Sequence, residues 1–129
     1  MFTLSQITAA HSKVKQGADF PNYIQDLIKI GVAKYAVYVA DGHGEYFGKE
    51  NFELQSPAKY AALAVANEYN LTNFKKYLKL HQQGETDYMT FCQHAAECGI
   101  VKWVVNTIEM TCTYIDQQGN EILIENIPS

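Results

Sequence analysis

Two stretches decide how the rest of the chain reads: GVAKYAVYVADGHGEYF (residues 31–47) and GIVKWVVNTIEMTCTYI (residues 99–115). Each leaves a glycine and enters a run of β-branched and aromatic residues, the composition of a strand. In the first, residues 34–40 form the strand, and Asp41, Gly42, His43 and Gly44 supply turn chemistry. Residues 45–47 return as the second strand of a hairpin, and residues 52–55 add a short third one. In the second stretch, residues 100–105 and 110–116 pair in the same way. A Gln117-Gln-Gly turn then leads to a third strand at 120–125.

Both stretches are preceded by two helical patterns. Ile7, Ala10, His11 and Val14 recur at i, i+3, i+4 and i+7, one face of a helix that Ser5 caps and Gly17 stops. Asp19 caps a second helix, with Pro21 tolerated in its first turn and Gly31 at its end. The pattern restarts at Leu71 and Thr72, with Phe74, Tyr77, Leu78 and His81 on one face and Gly84 as the stop. Asp87 opens a fourth helix, whose buried face is Tyr88, Phe91, Cys92 and Ala95 and whose stop is Gly99. Residues 56–70 carry mixed signals and read as an extended connector.

The two passes superimpose. A shift of 67 brings Leu4 onto Leu71, Ile7 onto Phe74, Gln16 onto Gln83 and Gly17 onto Gly84. A shift of 68 brings Asp19 onto Asp87, Phe20 onto Tyr88 and Tyr23 onto Phe91. The same shift brings Lys34 onto Lys102, Tyr35 onto Trp103 and Tyr46 onto Tyr114. The change of register falls in the inter-helix turn, where an insertion costs least. The expected architecture is α+β, a two-layer sandwich with helices on one face of a mainly antiparallel sheet. It contains a pseudo-twofold repeat, with residues 4–55 and 71–125 as the two copies. Neither copy buries its apolar face alone, so residues 1–129 are expected to form a single domain.

Composition narrows the function. The net charge is −4, and all ten basic residues are lysine. Without arginine there is no bidentate clamp for phosphate or guanine, so nucleic acid is not an expected partner. The amino terminus shows no basic flank followed by an apolar run, and no stretch has the length of a membrane span. Three cysteines, an odd number, argue against a disulfide framework. The expectation is a cytoplasmic protein with no membrane partner.

Five residues stand out as candidates for a ligand or interaction site: His43, Tyr46, His81, Trp103 and Cys112. His43 sits beside two carboxylates in its turn, although a polar hairpin accounts for it more simply. His81 occupies the helix-face position that Val14 fills in the first copy. Cys112 could act as a nucleophile only with a partner from another element, such as His81. Tyr35, Tyr38, Tyr46, Trp103 and Tyr114 form an aromatic set on the strands, expected mostly in the core or in cross-strand pairs. Asp19 and Asp87 read as helix caps rather than as a catalytic pair. No catalytic motif is present, and no cofactor or metal is expected, because no CxxC or HxxxH pair exists.

The segments AAHSKVKQGADFPNYIQDL, YVADGHGEYFG, HQQGETDYMTFCQHAAECGIVKW and MTCTYIDQQGNEI carry a family resemblance over nearly the full length. The chain resembles the YdfO-like family of small bacterial and prophage-encoded proteins of unknown function, often labelled phage envelope protein. The resemblance implies a two-layer α/β sandwich and brings no catalytic residues with it. Two functional expectations follow from the residues. One is a non-enzymatic interaction module that meets a protein partner, or a second copy as a homodimer, through the sheet. The other is a small-molecule binder or enzyme with a cleft between the two halves, where different side chains converge.

Overall fold

The structure, a computed structural model, describes residues 1–15 and 17–128. Its first helix, α1 (Leu4–His11), is capped by Thr3 rather than Ser5. The Thr3 hydroxyl accepts the Gln6 N–H at 3.2 Å, and the Gln6 side chain accepts the Thr3 N–H at 2.9 Å. This reciprocal pair satisfies two donors that the helix start would leave open. Nor does α1 run to Gly17. It ends at His11, and the Ser12 hydroxyl donates back to the Ala9 carbonyl at 2.6 Å. Serine competes for backbone groups in this way and is a weak continuation of a helix. Val14 therefore lies beyond the helix, and Gly17 opens a single 3₁₀ turn, Gly17–Asp19. Gln16, paired above with Gln83, lies outside the described residues.

The 3₁₀ turn feeds directly into α2 (Phe20–Ile30). Asp19 holds the N-cap position with an αR backbone, and its side chain makes no bond to the first turn of α2. Its carboxylate reaches upstream instead, accepting the Lys15 N–H at 2.8 Å. Gly31 closes α2 at φ 102°, a left-handed conformation that suits glycine. The second pair of helices, α3 (Leu71–Gln82) and α4 (Tyr88–Glu97), follows the expected plan. Asn70 caps α3 through the Asn73 N–H at 3.0 Å, and Asp87 caps α4 through the Thr90 N–H at 2.8 Å.

Six strands form one antiparallel sheet in the order β3-β2-β1-β4-β5-β6. They are β1 (Lys34–Tyr38), β2 (Gly44–Phe47), β3 (Glu53–Gln55), β4 (Ile100–Asn106), β5 (Thr111–Asp116) and β6 (Glu121–Asn126). The pairing register carries the repeat. Tyr35 opposes Tyr46 in the first hairpin, and 68 residues on, Trp103 opposes Tyr114 in the second. The central pair obeys the same rule: Lys34 opposes Asn106 while Tyr38 opposes Lys102, and Tyr35 opposes Val105 while Val37 opposes Trp103. Only Ala36 and Val104 map onto their own pair, so the pseudo-twofold axis passes between them. Thr107 Oγ1 adds a tie between the halves, donating at 2.9 Å to the Val32 and Ala33 carbonyls.

Strand alternation separates the two faces of the sheet. Tyr35, Val37, Tyr46, Trp103, Val105, Cys112 and Tyr114 are buried beneath the helices. The other face carries Lys34, Tyr38, Phe47 and Lys102. There the Lys34 ammonium lies 5.0 Å from the Phe47 ring centre and that of Lys102 5.4 Å from Tyr38. Lysine stems lying over cross-strand aromatic rings shield them from water.

Residues 56–70 form no regular element, as the extended reading expects. Their path is set by contacts to the turns. The Lys59 N–H donates to the Asp41 carbonyl at 2.7 Å, that of Leu63 to Ala40 at 2.7 Å, and that of Asn70 to Cys98 at 2.9 Å. Among the described residues, no helix is long and apolar enough to cross a membrane.

Candidate functional site

Between the helices and the sheet lies a cavity of about 540 Å³ that straddles the pseudo-twofold axis. Its wall includes six repeat positions that carry a ring or a histidine in at least one half, with Lys15 and Gln82 as a further pair and Lys59, Cys112 and residues 125–128 from outside the pairing. The sheet contributes Tyr35 and its mate Trp103, then Tyr46 and its mate Tyr114. The second helix of each half contributes Phe20 and Tyr23, matched by Tyr88 and Phe91. The end of α1 and the backbone just beyond it contribute His11 and Val14, matched by Leu78 and His81 of α3. The positions are symmetric and the side chains are not. Each half supplies one histidine, at a different repeat position.

The aromatic rings make a continuous surface. Tyr35 and Tyr46 stack at 5.4 Å, and Tyr23 meets Tyr35 edge-on at 6.3 Å. His11 stands edge-on to both Tyr23 and Tyr88, at 5.3 and 5.8 Å. Across the axis, His81 stacks on Phe91 at 4.5 Å, and Phe91 lies 5.7 Å from Trp103. Such contacts hold the side chains in place, so the cavity shape is preset.

Burial governs the protonation states. It raises the pKa of Tyr23, Tyr35, Tyr46, Tyr88 and Tyr114, so these phenols stay neutral and can donate hydrogen bonds. Burial pushes the Cys112 thiol up to about 12, and the partner of its sulfur is Tyr114 rather than His81. At neutral pH Cys112 is a thiol, not the nucleophilic thiolate. Burial also lowers both histidines. At His11 the Lys59 charge adds to the effect, whereas at His81 the Thr86 carbonyl, 3.1 Å from Nδ1, opposes it. Both rings are therefore held toward the neutral form.

Residues 8–126 match the family model described as protein of unknown function (DUF1398). The chain belongs to the DUF1398 family. No curated protein matches it. The DUF1398 match contains all of these paired cavity positions.

Four of the five sequence candidates in this DUF1398 protein come together: Tyr46, His81, Trp103 and Cys112 all line the cavity. His43 does not. It lies on the turn between β1 and β2, with Nδ1 2.5 Å from Asp41 Oδ1 and its ring stacked on Tyr38 at 4.4 Å. Tyr38 in turn donates to Glu45 at 2.8 Å, so the group is a self-contained polar cluster on the helix-free side. Among the described residues, no group of three or more His, Cys, Asp or Glu side chains could hold a metal.

His11 and Lys59 are among the cavity residues that the sequence reading did not single out. His11 could have been found by the argument that singled out His81, because it is the polar member of a repeat pair whose mate, Leu78, is buried core. Lys59 left no signal, being one lysine in a connector without periodicity. It reaches the cavity because the connector is bonded to the β1–β2 turn. Lys59 also lines a neighbouring pocket of about 300 Å³, which shares His11, Tyr46 and Tyr88 with the main cavity.

Proposed function

We propose that this protein binds a small molecule with a flat, mainly apolar body in the cavity between its halves. The observation that carries the reading is the convergence of matching positions from both halves on one aromatic-walled space. Such sites are concave, largely apolar and preformed, with few polar groups to orient the ligand. The reading is of a binder rather than an enzyme. The thiol of Cys112 is held protonated by burial, and among the described residues no acid–base pair is set against it. The YdfO-like, prophage-related setting and a cytoplasmic location complete the proposal.

The interaction-module reading drew on the aromatic strands. Of the five, Tyr35, Tyr46, Trp103 and Tyr114 lie under the helices, and Tyr38 stands on the open face. This favours a ligand in the cavity over a partner on the sheet. A thermal-shift screen of mono- and bicyclic aromatic compounds tests the reading. A ligand at a hundredfold its dissociation constant adds about 2.7 kcal/mol to stability. Saturable upward shifts are expected for planar compounds that fit the cavity. A screen in which no planar aromatic compound raises the melting temperature overturns the reading.

A further inference from the structure

The cavity is polarised by charge, and the polarity names its ligand class. On one side the carboxylates are already engaged. Glu125 accepts from Gln82 at 3.2 and 3.4 Å and from Tyr114 at 3.4 Å, and Asp87 caps α4. Their charges act on Cys112, Tyr114 and His81. On the other side stands Lys59, whose charge acts on His11 and Cys92. Among the described residues, Lys59 forms no ion pair.

The backbone of Lys59 is held firmly. Its N–H donates to Asp41 at 2.7 Å, and the Tyr60 hydroxyl next to it donates to the Val39 carbonyl at 2.6 Å. Gly42, at φ +76°, lets this segment approach. A Cβ there would come within 2.7 Å of the Tyr60 ring and 3.2 Å of Lys59 Cβ. Lys59 is thus positioned on the cavity wall, exposed and, among the described residues, without an ion-pair partner, and the neutral phenols of Tyr46 and Tyr88 share that wall. A fixed cation facing the cavity can take an anion that enters with the ligand through a charge-assisted hydrogen bond. Lysines alone, Lys59 on the wall and Lys15 at the rim, in a chain without arginine, match a compact monoanion rather than a phosphate ester.

We propose that the cavity receives a small aromatic carboxylic acid, its ring against Tyr35 and Trp103 and its carboxylate at Lys59. The proposal rests on the binding reading above and goes beyond it by fixing the charge and orientation of the ligand. The test is calorimetric titration of the full chain with 2-naphthoate and its neutral counterpart 2-naphthamide. Wild type, Lys59→Met and, as a control at another rim lysine, Lys15→Met are compared, with circular dichroism confirming the fold of each. A charge-assisted hydrogen bond makes the acid bind roughly 10–100-fold tighter than the amide. Lys59→Met abolishes that preference, bringing acid and amide to equal affinity, while Lys15→Met keeps it. Equal binding of acid and amide to wild type overturns the acid assignment and leaves the cavity reading standing. An acid preference that survives Lys59→Met overturns the role of Lys59. Failure of both probes to bind overturns the proposal, and the separate screen then decides the cavity reading.

Discussion

In the second half of the chain α3 runs unbroken from Leu71 to Gln82, whereas in the first half α1 stops at His11. The consequences meet at the cavity. His81 is presented from the last turn of a helix, while Val14 and Lys15, at the corresponding end of the first copy, lie on irregular backbone at the cavity rim. The glycines differ too. Gly31 closes α2 with nothing within 4 Å of an added Cβ, but Gly99 closes α4 with the Glu68 carbonyl oxygen 2.5 Å from one. Gly44 sits under its own neighbour, the Tyr46 ring, where the mate position holds Cys112. The sheet keeps the repeat nearly residue for residue, and the helices and connector depart from it. Frame and chemistry are thus separated. The shared register builds the space, and the unshared residues decide what fits it.

The largest effect expected is at Trp103. Trp103→Ala empties part of the cavity floor and core, and a loss of about 3–5 kcal/mol in urea denaturation is expected. Trp103→Tyr, which copies the first half, should cost less. A loss below 1 kcal/mol for the alanine variant would show the floor to be loosely packed. The glycines sharpen the contrast next. Gly31→Ala carries only the left-handed backbone penalty, about 1–2 kcal/mol. Gly99→Ala carries that penalty plus a collision with the Glu68 backbone, so it must be the more damaging of the two. Equal losses would mean that the connector moves aside freely. Asp87→Ala removes the cap of α4 and should lower stability by about 1 kcal/mol.

The smallest effect is the histidine asymmetry. Both rings are held below their ordinary value of 6.5 by burial. The unfolded chain therefore takes up protons first on acidification, and stability is lost as the pH falls below 6.5 toward the folded-state values. His11→Leu with His81→Val copies each residue from the other half and makes the wall symmetric. That variant should lose the stability change beginning near pH 6.5, as read from denaturation midpoints. An unchanged profile would place the titrating groups elsewhere.

Much of the frame was legible because it rests on local chemistry: strand composition, glycine stops, the Asp87 cap and a register that can be laid over itself. The misreadings have long-range or competing causes. Ser12 returns its hydroxyl to Ala9 and ends α1 early. Asp19 inherits an αR backbone from the 3₁₀ turn, so its carboxylate bonds Lys15 and not its own helix. The connector follows Asp41, Ala40 and Cys98, partners far away in sequence. For the site, Tyr46, Trp103, His81 and Cys112 were legible as repeat positions or departures from them. His11 was hidden by counting as one more member of a helix face. Lys59 was invisible, since only the folded turn brings it to the wall.

Trp103 is the single tryptophan of the chain and lies in the cavity wall, so its emission reports occupancy directly. Titration with neutral 4-bromobenzamide, whose bromine quenches indole on contact, is the most direct test of a ligand-accessible cavity between the halves. Quenching that rises hyperbolically and saturates is the predicted result. Quenching that stays weak and linear in concentration, as for random collisions with an inaccessible ring, would contradict the account.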